Sequence, residues 1–235
     1  MKSAAKVVSM RAALLVTLFG GCLSQSVFAK TPDRDRTKIL QVNVPPVPGL
    51  CSAPVPADRE TVGCYETGTI DIVDDRPDLY WHIYEFPTEA AAKAEAERHQ
   101  WATATRVHGR VWLYVLGGPA ETVPVGIERA VIGPLRIPAR ETTAHFSEAI
   151  FPPGMRTRVH SHPGPEAFYV VAGEQCMETQ TDRRIVPAGG TYVVEGGLHV
   201  QAAPKGRRNL VLILAPKGAA AVTPGGAWQP SSFCD

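Results

Sequence analysis

Gly154-Met155-Arg156-Thr157-Arg158-Val159-His160-Ser161-His162-Pro163-Gly164-Pro165-Glu166-Ala167-Phe168-Tyr169-Val170-Val171-Ala172-Gly173 is the stretch on which the reading of this chain turns. Arg156–His162 and Ala167–Val171 read as two short strands separated by a Pro-Gly-Pro turn. On an extended strand, residues i and i+2 project from one face, so His160 and His162 aim at a common point. The turn then lets Glu166 return to that point from the start of the next strand. Two neutral imidazoles and a carboxylate make a donor set suited to divalent first-row metals. Downstream, Gly196-Gly197-Leu198-His199 offers a further imidazole beside a glycine bend.

Outward from this segment, residues 122–216 keep one texture. Ala130–Ile132, Thr142–Phe151, Gln175–Thr179, Thr191–Val194 and Leu210–Leu214 are further strand candidates, set apart by Gly and Pro. With 21 Gly and 21 Pro in 235 residues, many short strands fit this chain better than a few long helices. Such strands suit a double-sheet jelly roll, which wraps its sheet and leaves few edges. The fold class expected is therefore mainly β, a C-terminal jelly-roll barrel preceded by a small α+β unit.

The quoted segment resembles the first motif of the cupin superfamily, G-x5-H-x-H-x3-E-x6-G, matched at Gly154, His160, His162, Glu166 and Gly173. The resemblance covers residues 122–216. It implies a double-stranded β-helix barrel holding a metal through His160, His162 and Glu166, with His199 as the histidine of the second motif. That second motif keeps Gly196 but has Val194 and Ala203 where the family usually shows proline and asparagine. The implied cofactor is one divalent transition metal, Mn, Fe, Ni, Cu or Zn, and the implied partner is a small-molecule ligand or substrate. Cupin barrels often pair through sheet faces, so a homodimer is an expectation by resemblance alone. The whole chain is also similar to exported bacterial cupin-domain proteins of no assigned activity. The competing reading is a barrel kept for structure, with an incidental site.

Three more residues are candidates for the pocket. Phe168 shares the face of Glu166 and serves either as an apolar wall or as core. Arg158, like Arg156, shares the parity of His160 and either holds a substrate carboxylate or sits in solvent. His145 lies on the preceding strand, within reach of a supporting role to the ligands.

Residues 64–121 read as the small α+β unit. Leu79–Phe86 is a strand, Thr88 can cap a helix over Glu89–Trp101, and Ala102–Val107 and Arg110–Leu116 flank a His108-Gly109 turn. Trp81, Trp101 and Trp112 are expected to share one core. His82, His99 and His108 have no metal spacing and read as packed or surface histidines.

The first 29 residues read as a secretory signal peptide. Lys2, Lys6 and Arg11 open it, Ala12–Phe19 form its apolar core, and Val27-Phe28-Ala29 supply the cleavage residues. Phe19-Gly20-Gly21-Cys22 loosely resembles a lipoprotein box, so anchoring through Cys22 is the alternative to a free periplasmic or secreted protein. Residues 30–63 read as an extended Pro-rich tether and 219–235 as a C-terminal tail. Beyond the signal segment no apolar run approaches the ~20 residues that cross a bilayer. Removing Lys2, Lys6 and Arg11 leaves 21 of the 24 basic residues against 23 acids, a net of −2. That balance offers nucleic acid no electrostatic hold. In an oxidising compartment Cys51, Cys64, Cys176 and Cys234 are expected as two disulfides, with nearness along the chain favouring Cys51–Cys64 and leaving Cys176–Cys234. There is no G-x-S-x-G elbow, P-loop or GxGxxG, so the function expected is a metal-binding cupin protein. It is read either as a metal-dependent oxygenase, isomerase or lyase or as a non-catalytic binding module.

Overall fold

The computed structural model describes residues 62–235. Its strands, in chain order, are β1 (Gly63–Val73), β2 (Asp78–Phe86), β3 (Ala102–Val107), β4 (Arg110–Gly117), β5 (Ile127–Arg136), β6 (Glu141–Phe151), β7 (Met155–Arg156), β8 (His160–Ser161), β9 (Glu166–Thr179), β10 (Arg183–Pro187), β11 (Thr191–Val194), β12 (His199–Ala203), β13 (Arg207–Pro216) and β14 (Thr223–Pro224). One helix, α1 (Glu89–Ala96), lies between β2 and β3. The larger sheet runs β1-β6-β13-β9-β12-β8-β14, with β10 and β11 also on β9 and β7 on β12; the smaller runs β3-β4-β2-β5. All of these pairings are antiparallel. The chain is mainly β, with its larger sheet curled into a jelly roll.

Strand β9 makes the curl. Its first half pairs with β11 and β13, its second half with β10 and β12. The change of partners falls at Ala172-Gly173-Glu174. Gly173 sits at φ +74, and a Cβ there would lie 2.0 Å from the Gly206 carbonyl oxygen, so only glycine fits. The sequence shows an apparent turn at this point, and the expected strands Ala167–Val171 and Gln175–Thr179 are one bent strand.

Alternation along the strands sorts their side chains into two layers. Ala144 and Phe146 of β6, Ala167 and Tyr169 of β9, and Leu210, Leu212 and Leu214 of β13 pack outward against Trp81, Ile83, Trp112 and Tyr114 of the smaller sheet. Phe146 stacks on Tyr114 at 5.1 Å, and Trp81 meets Tyr114 edge-on at 5.4 Å. Trp101 joins the same core, as expected for the three tryptophans. The opposite face of the larger sheet turns Ala149, Phe151, Phe168, Met177, Val211 and Ile213 into the barrel interior. On its far side the smaller sheet buries Tyr84, Phe86, Leu113 and Val115 together with Ala92 of α1.

Strands do not divide between the sheets at residue 122. β1 belongs to the larger sheet through β6, and β5 belongs to the smaller one through β2. Each of these pairings joins segments far apart in sequence, where no local pattern marks them. The helix is shorter than expected. Arg98 N–H bonds the Glu95 carbonyl and His99 N–H that of Ala96, tightening the end, and the Trp101 carbonyl is already engaged by Leu116 N–H of β4. Thr88 caps it as expected, accepting from Ala91 N–H at 3.2 Å. His82, His99 and His108 each bond within the protein, to the Gly118 carbonyl, the Glu121 carboxylate and the Asn209 carbonyl respectively.

Cys176 and Cys234 form a disulfide with a Cα–Cα distance of 5.6 Å, as expected from the cysteine pattern. Cys51, the signal segment with Cys22, and the Pro-rich stretch to residue 61 lie outside the described residues. Among the described residues no helix is long and apolar enough to cross a membrane.

Candidate metal centre

The same alternation that builds the apolar interior delivers polar groups to it. On β12, His199 and Gln201 point inward; on β9, Glu166 precedes Phe168 on the interior face; on β13, Arg207 and Asn209 head the row continued by Val211 and Ile213. His160 reaches the site from β8, which pairs His160 with His199 directly. His162 lies just beyond β8, in the turn that closes on Pro165, whose carbonyl accepts from Leu214 N–H. The expected strand Arg156–His162 is in fact β7 and β8, interrupted where Thr157 N–H bonds the Gln201 carbonyl. The inward sense of both histidines survives that break.

His160, His162, Glu166 and His199 converge. One ligand atom from each lies within 4.8 Å of all the others, and all four residues are buried. The His160 and His199 rings stand 4.2 Å apart between centroids, and His162 lies 5.1 Å from each.

The hydrogen bonds behind the rings decide which nitrogen faces inward. His160 Nδ1 lies 2.8 Å from the Arg158 carbonyl, His162 Nδ1 2.7 Å from that of Ala221, and His199 Nδ1 3.1 Å from that of Gly197. A carbonyl can only accept, so each Nδ1 carries a proton and Nε2 is the atom that each ring turns to the interior. Nε2 of His162 and Nε2 of His199 lie 3.0 and 3.1 Å from the same Glu166 Oε2. The His162 nitrogen is buried without a hydrogen-bond partner. Three inward-facing Nε2 atoms and a carboxylate, with a buried, unsatisfied Nε2 among them, fit a divalent cation.

The electrostatics are those of a closed site. Burial alone would raise the Glu166 carboxyl, but the neighbouring His162 and His199 outweigh it and hold the group well below the carboxylate range. Burial and then the neighbouring His199 push His160 down to about 4, favouring its neutral form. Burial also opposes charge on His162, which Glu166 more than offsets, so that ring is raised.

Behind the ligands runs a polar chain that the sequence reading did not single out. Gln201 Nε2 donates to both Glu166 oxygens at 3.1 Å. Its Oε1 accepts from Arg207 at 2.8 Å, and Arg207 donates in turn to Gln175 Oε1. Gln201 follows His199 at i+2, the spacing that relates His160 to His162. Replacing it with leucine (Gln201→Leu) is expected to weaken divalent-metal binding about 10- to 100-fold, measured by competition with a chromogenic chelator; unchanged affinity would show that Gln201 does not support Glu166.

A narrow cavity opens beside the cluster. His160, His162, Glu166, Gln201, Arg207 and Thr157 form its polar wall, and Ala149, Phe151, Val211 and Val222 its apolar one. The three expected pocket residues are not part of this lining. Phe168 is fully buried and packs in the interior cluster with Met177 and Val211. The Arg158 side chain is exposed, and it is the backbone carbonyl that serves the site by holding His160. His145 shares the face of its cross-strand partner Ile213, but its ring bonds Glu66 of β1 at 2.9 Å rather than a ligand residue.

No protein-family model matches the sequence, and no curated protein matches it. Among solved structures the chain is similar to a cupin-like protein from Thermotoga maritima MSB8, at 23% identity over 35% of this chain and 65% of that one, TM-score 0.31. It is also similar to a DMSP lyase from Ruegeria pomeroyi DSS-3, at 21% identity over 35% of this chain and 45% of the lyase, TM-score 0.32. A third is a cupin superfamily protein from Desulfitobacterium hafniense DCB-2, at 11% identity over 61% of this chain and 94% of that one, TM-score 0.31. The chain therefore spans less than two thirds of the first two. The likeness is one of fold; the jelly-roll order of the strands and the converging His-His-Glu-His set stand on the chain's own geometry.

Proposed function

We propose that this chain is an exported metalloprotein in which His160, His162, Glu166 and His199 hold one divalent transition-metal ion that serves a small organic ligand in the barrel cavity. The observation that carries this reading is the orientation of the three rings, each with Nδ1 tied to a backbone carbonyl and Nε2 left to the interior. A metal there supplies Lewis-acid or, with a redox-active ion, oxidative chemistry. The donor set accepts Mn, Fe, Ni, Cu or Zn. Export is supported by the charge, apolar and small-residue order of the first 29 residues and by the Cys176–Cys234 disulfide, which suits an oxidising compartment.

Around the ion, the protein's own groups do three things. Carbonyls of Arg158, Gly197 and Ala221 orient the rings. Gln201 fixes the Glu166 carboxylate. Phe151, Val211 and Val222 exclude water from one side. A non-catalytic binding module is the second reading, favoured by one observation: apart from the ligands, the residues lining the cavity include no carboxylate, histidine, lysine or tyrosine to move a proton.

The test is a panel of small acids, sugars and phenols offered to the metal-loaded protein and to His160→Ala/His162→Ala. Turnover present in the first and absent in the second is expected for an enzyme. Saturable binding without turnover identifies the module. Equal behaviour of the two proteins would refute the site.

A further inference from the structure

We propose that Arg207, on the cavity wall, anchors the carboxylate of a small monocarboxylate ligand whose remaining atoms lie between the apolar wall and the ligand cluster. This rests on the reading that the four residues hold a divalent ion, and it names the ligand class that site takes.

Arg207 is 3% exposed and lines the cavity together with His160, His162 and Glu166. A guanidinium taken out of water calls for a carboxylate partner. Among the described residues none lies within ion-pair distance of Arg207. Its terminal nitrogens donate to Gln175 and Gln201, both neutral amides, and its buried Nε–H has no acceptor. The Phe151 ring, 4.0 Å from the guanidinium carbon, supports one face of the cation. The nearest acid in the chain of bonds is Glu166, reached only through Gln201.

Charge balance sets the sign of the ligand. Glu166 compensates Arg207 at a distance only while it is free of metal. Once a divalent ion takes up that carboxylate, the closed site carries the ion's two positive charges together with that of Arg207, against one negative charge. A monoanion reduces the excess, a neutral ligand leaves it, and a cation adds to it. The rest of the lining, Ala149, Phe151, Val211 and Val222, is apolar and suits a short hydrocarbon body. The cavity is narrow, so the acid must be small.

The experiment is calorimetric titration of the full chain, metal-loaded and chelator-treated, with propanoate and with its uncharged counterpart propanamide. Propanoate is expected to bind about 10- to 100-fold tighter than propanamide, the worth of hydrogen bonds to a charged group. Arg207→Met, titrated at a metal concentration that saturates it so that lost support to Gln201 does not enter, is expected to abolish that preference. Should Arg207→Met fail to fold, Arg207→Lys, which keeps the charge but loses the planar fork, is expected to bind propanoate at least about threefold more weakly. Equal affinities for acid and amide in the wild type would overturn the proposal. So would a preference that persists undiminished in the Arg207 variants, since the carboxylate would then sit on the ion alone. Failure of the metal reading looks different: the protein then takes up no ion, and the chelator-treated chain still reports whether Arg207 selects the acid.

Discussion

His162→Ala is expected to weaken divalent-metal binding by more than about 100-fold, beyond the loss from a supporting residue. The ring is one of four groups converging within 4.8 Å, and its Nε2 is the buried nitrogen without a hydrogen-bond partner. Its removal takes away a ligand and leaves the Glu166 carboxylate, also buried, with less to balance it. The metal-free variant should therefore be less stable than the metal-free wild type. Glu166→Gln keeps the shape of the side chain and loses its charge, and the same loss of affinity is expected there. Competition titrations against a fluorescent chelator measure both. Affinities within about threefold of the wild type in either variant would remove these residues from the coordination sphere.

Cys234→Ser is the second large effect, and it acts from the other end of the chain. The Cys176–Cys234 bridge spans 58 residues and holds a tail that is part of the site. Within that tail the Ala221 carbonyl orients His162, Val222 lines the cavity, Thr223 pairs with Ser161, and Gly225 N–H bonds the Val159 carbonyl. Loop-closure entropy for a span of this length gives a loss of about 4 kcal/mol in the chain-entropy picture. In a domain of this size that lowers the melting temperature by about 10 °C. Equilibrium denaturation of the two proteins under non-oxidising conditions measures it. Metal affinity should fall as well, because the Ala221 carbonyl is released together with the tail. A variant with wild-type stability would show that β14 and its hydrogen bonds hold the tail unaided.

The first three ligands were legible because their geometry is local. His160 and His162 differ by two positions, and a Pro-Gly-Pro turn brings Glu166 back within four, so strand periodicity alone aligns them. His199 came from its glycine bend and from the family resemblance, despite the departures at Val194 and Ala203; in the structure Val194 closes β11 inside the core, and the bend is carried by the residues between it and His199. Gln201 stood in plain view at i+2 from His199 and went unread because an amide carries no ligand signature. Arg207 and Asn209 head an alternating row that ends in Val211 and Ile213, and in sequence such a pair is indistinguishable from a solvated strand entry. The three carbonyls that fix the rings are backbone atoms, which no residue type announces. The exchange of strands between sheets has the same origin: β1 meets β6 some seventy residues away, and β5 turns back onto β2.

X-ray absorption at the metal edge of the purified, metal-loaded protein tests the central claim most directly. One ion per chain is expected, with three imidazole nitrogens and at least one oxygen around it and with the imidazole scattering reduced in His160→Ala/His162→Ala. Cys64, which is disulfide-bonded, also lines the cavity. A sulfur neighbour, or a shell without imidazole, would place the ion elsewhere and contradict the account.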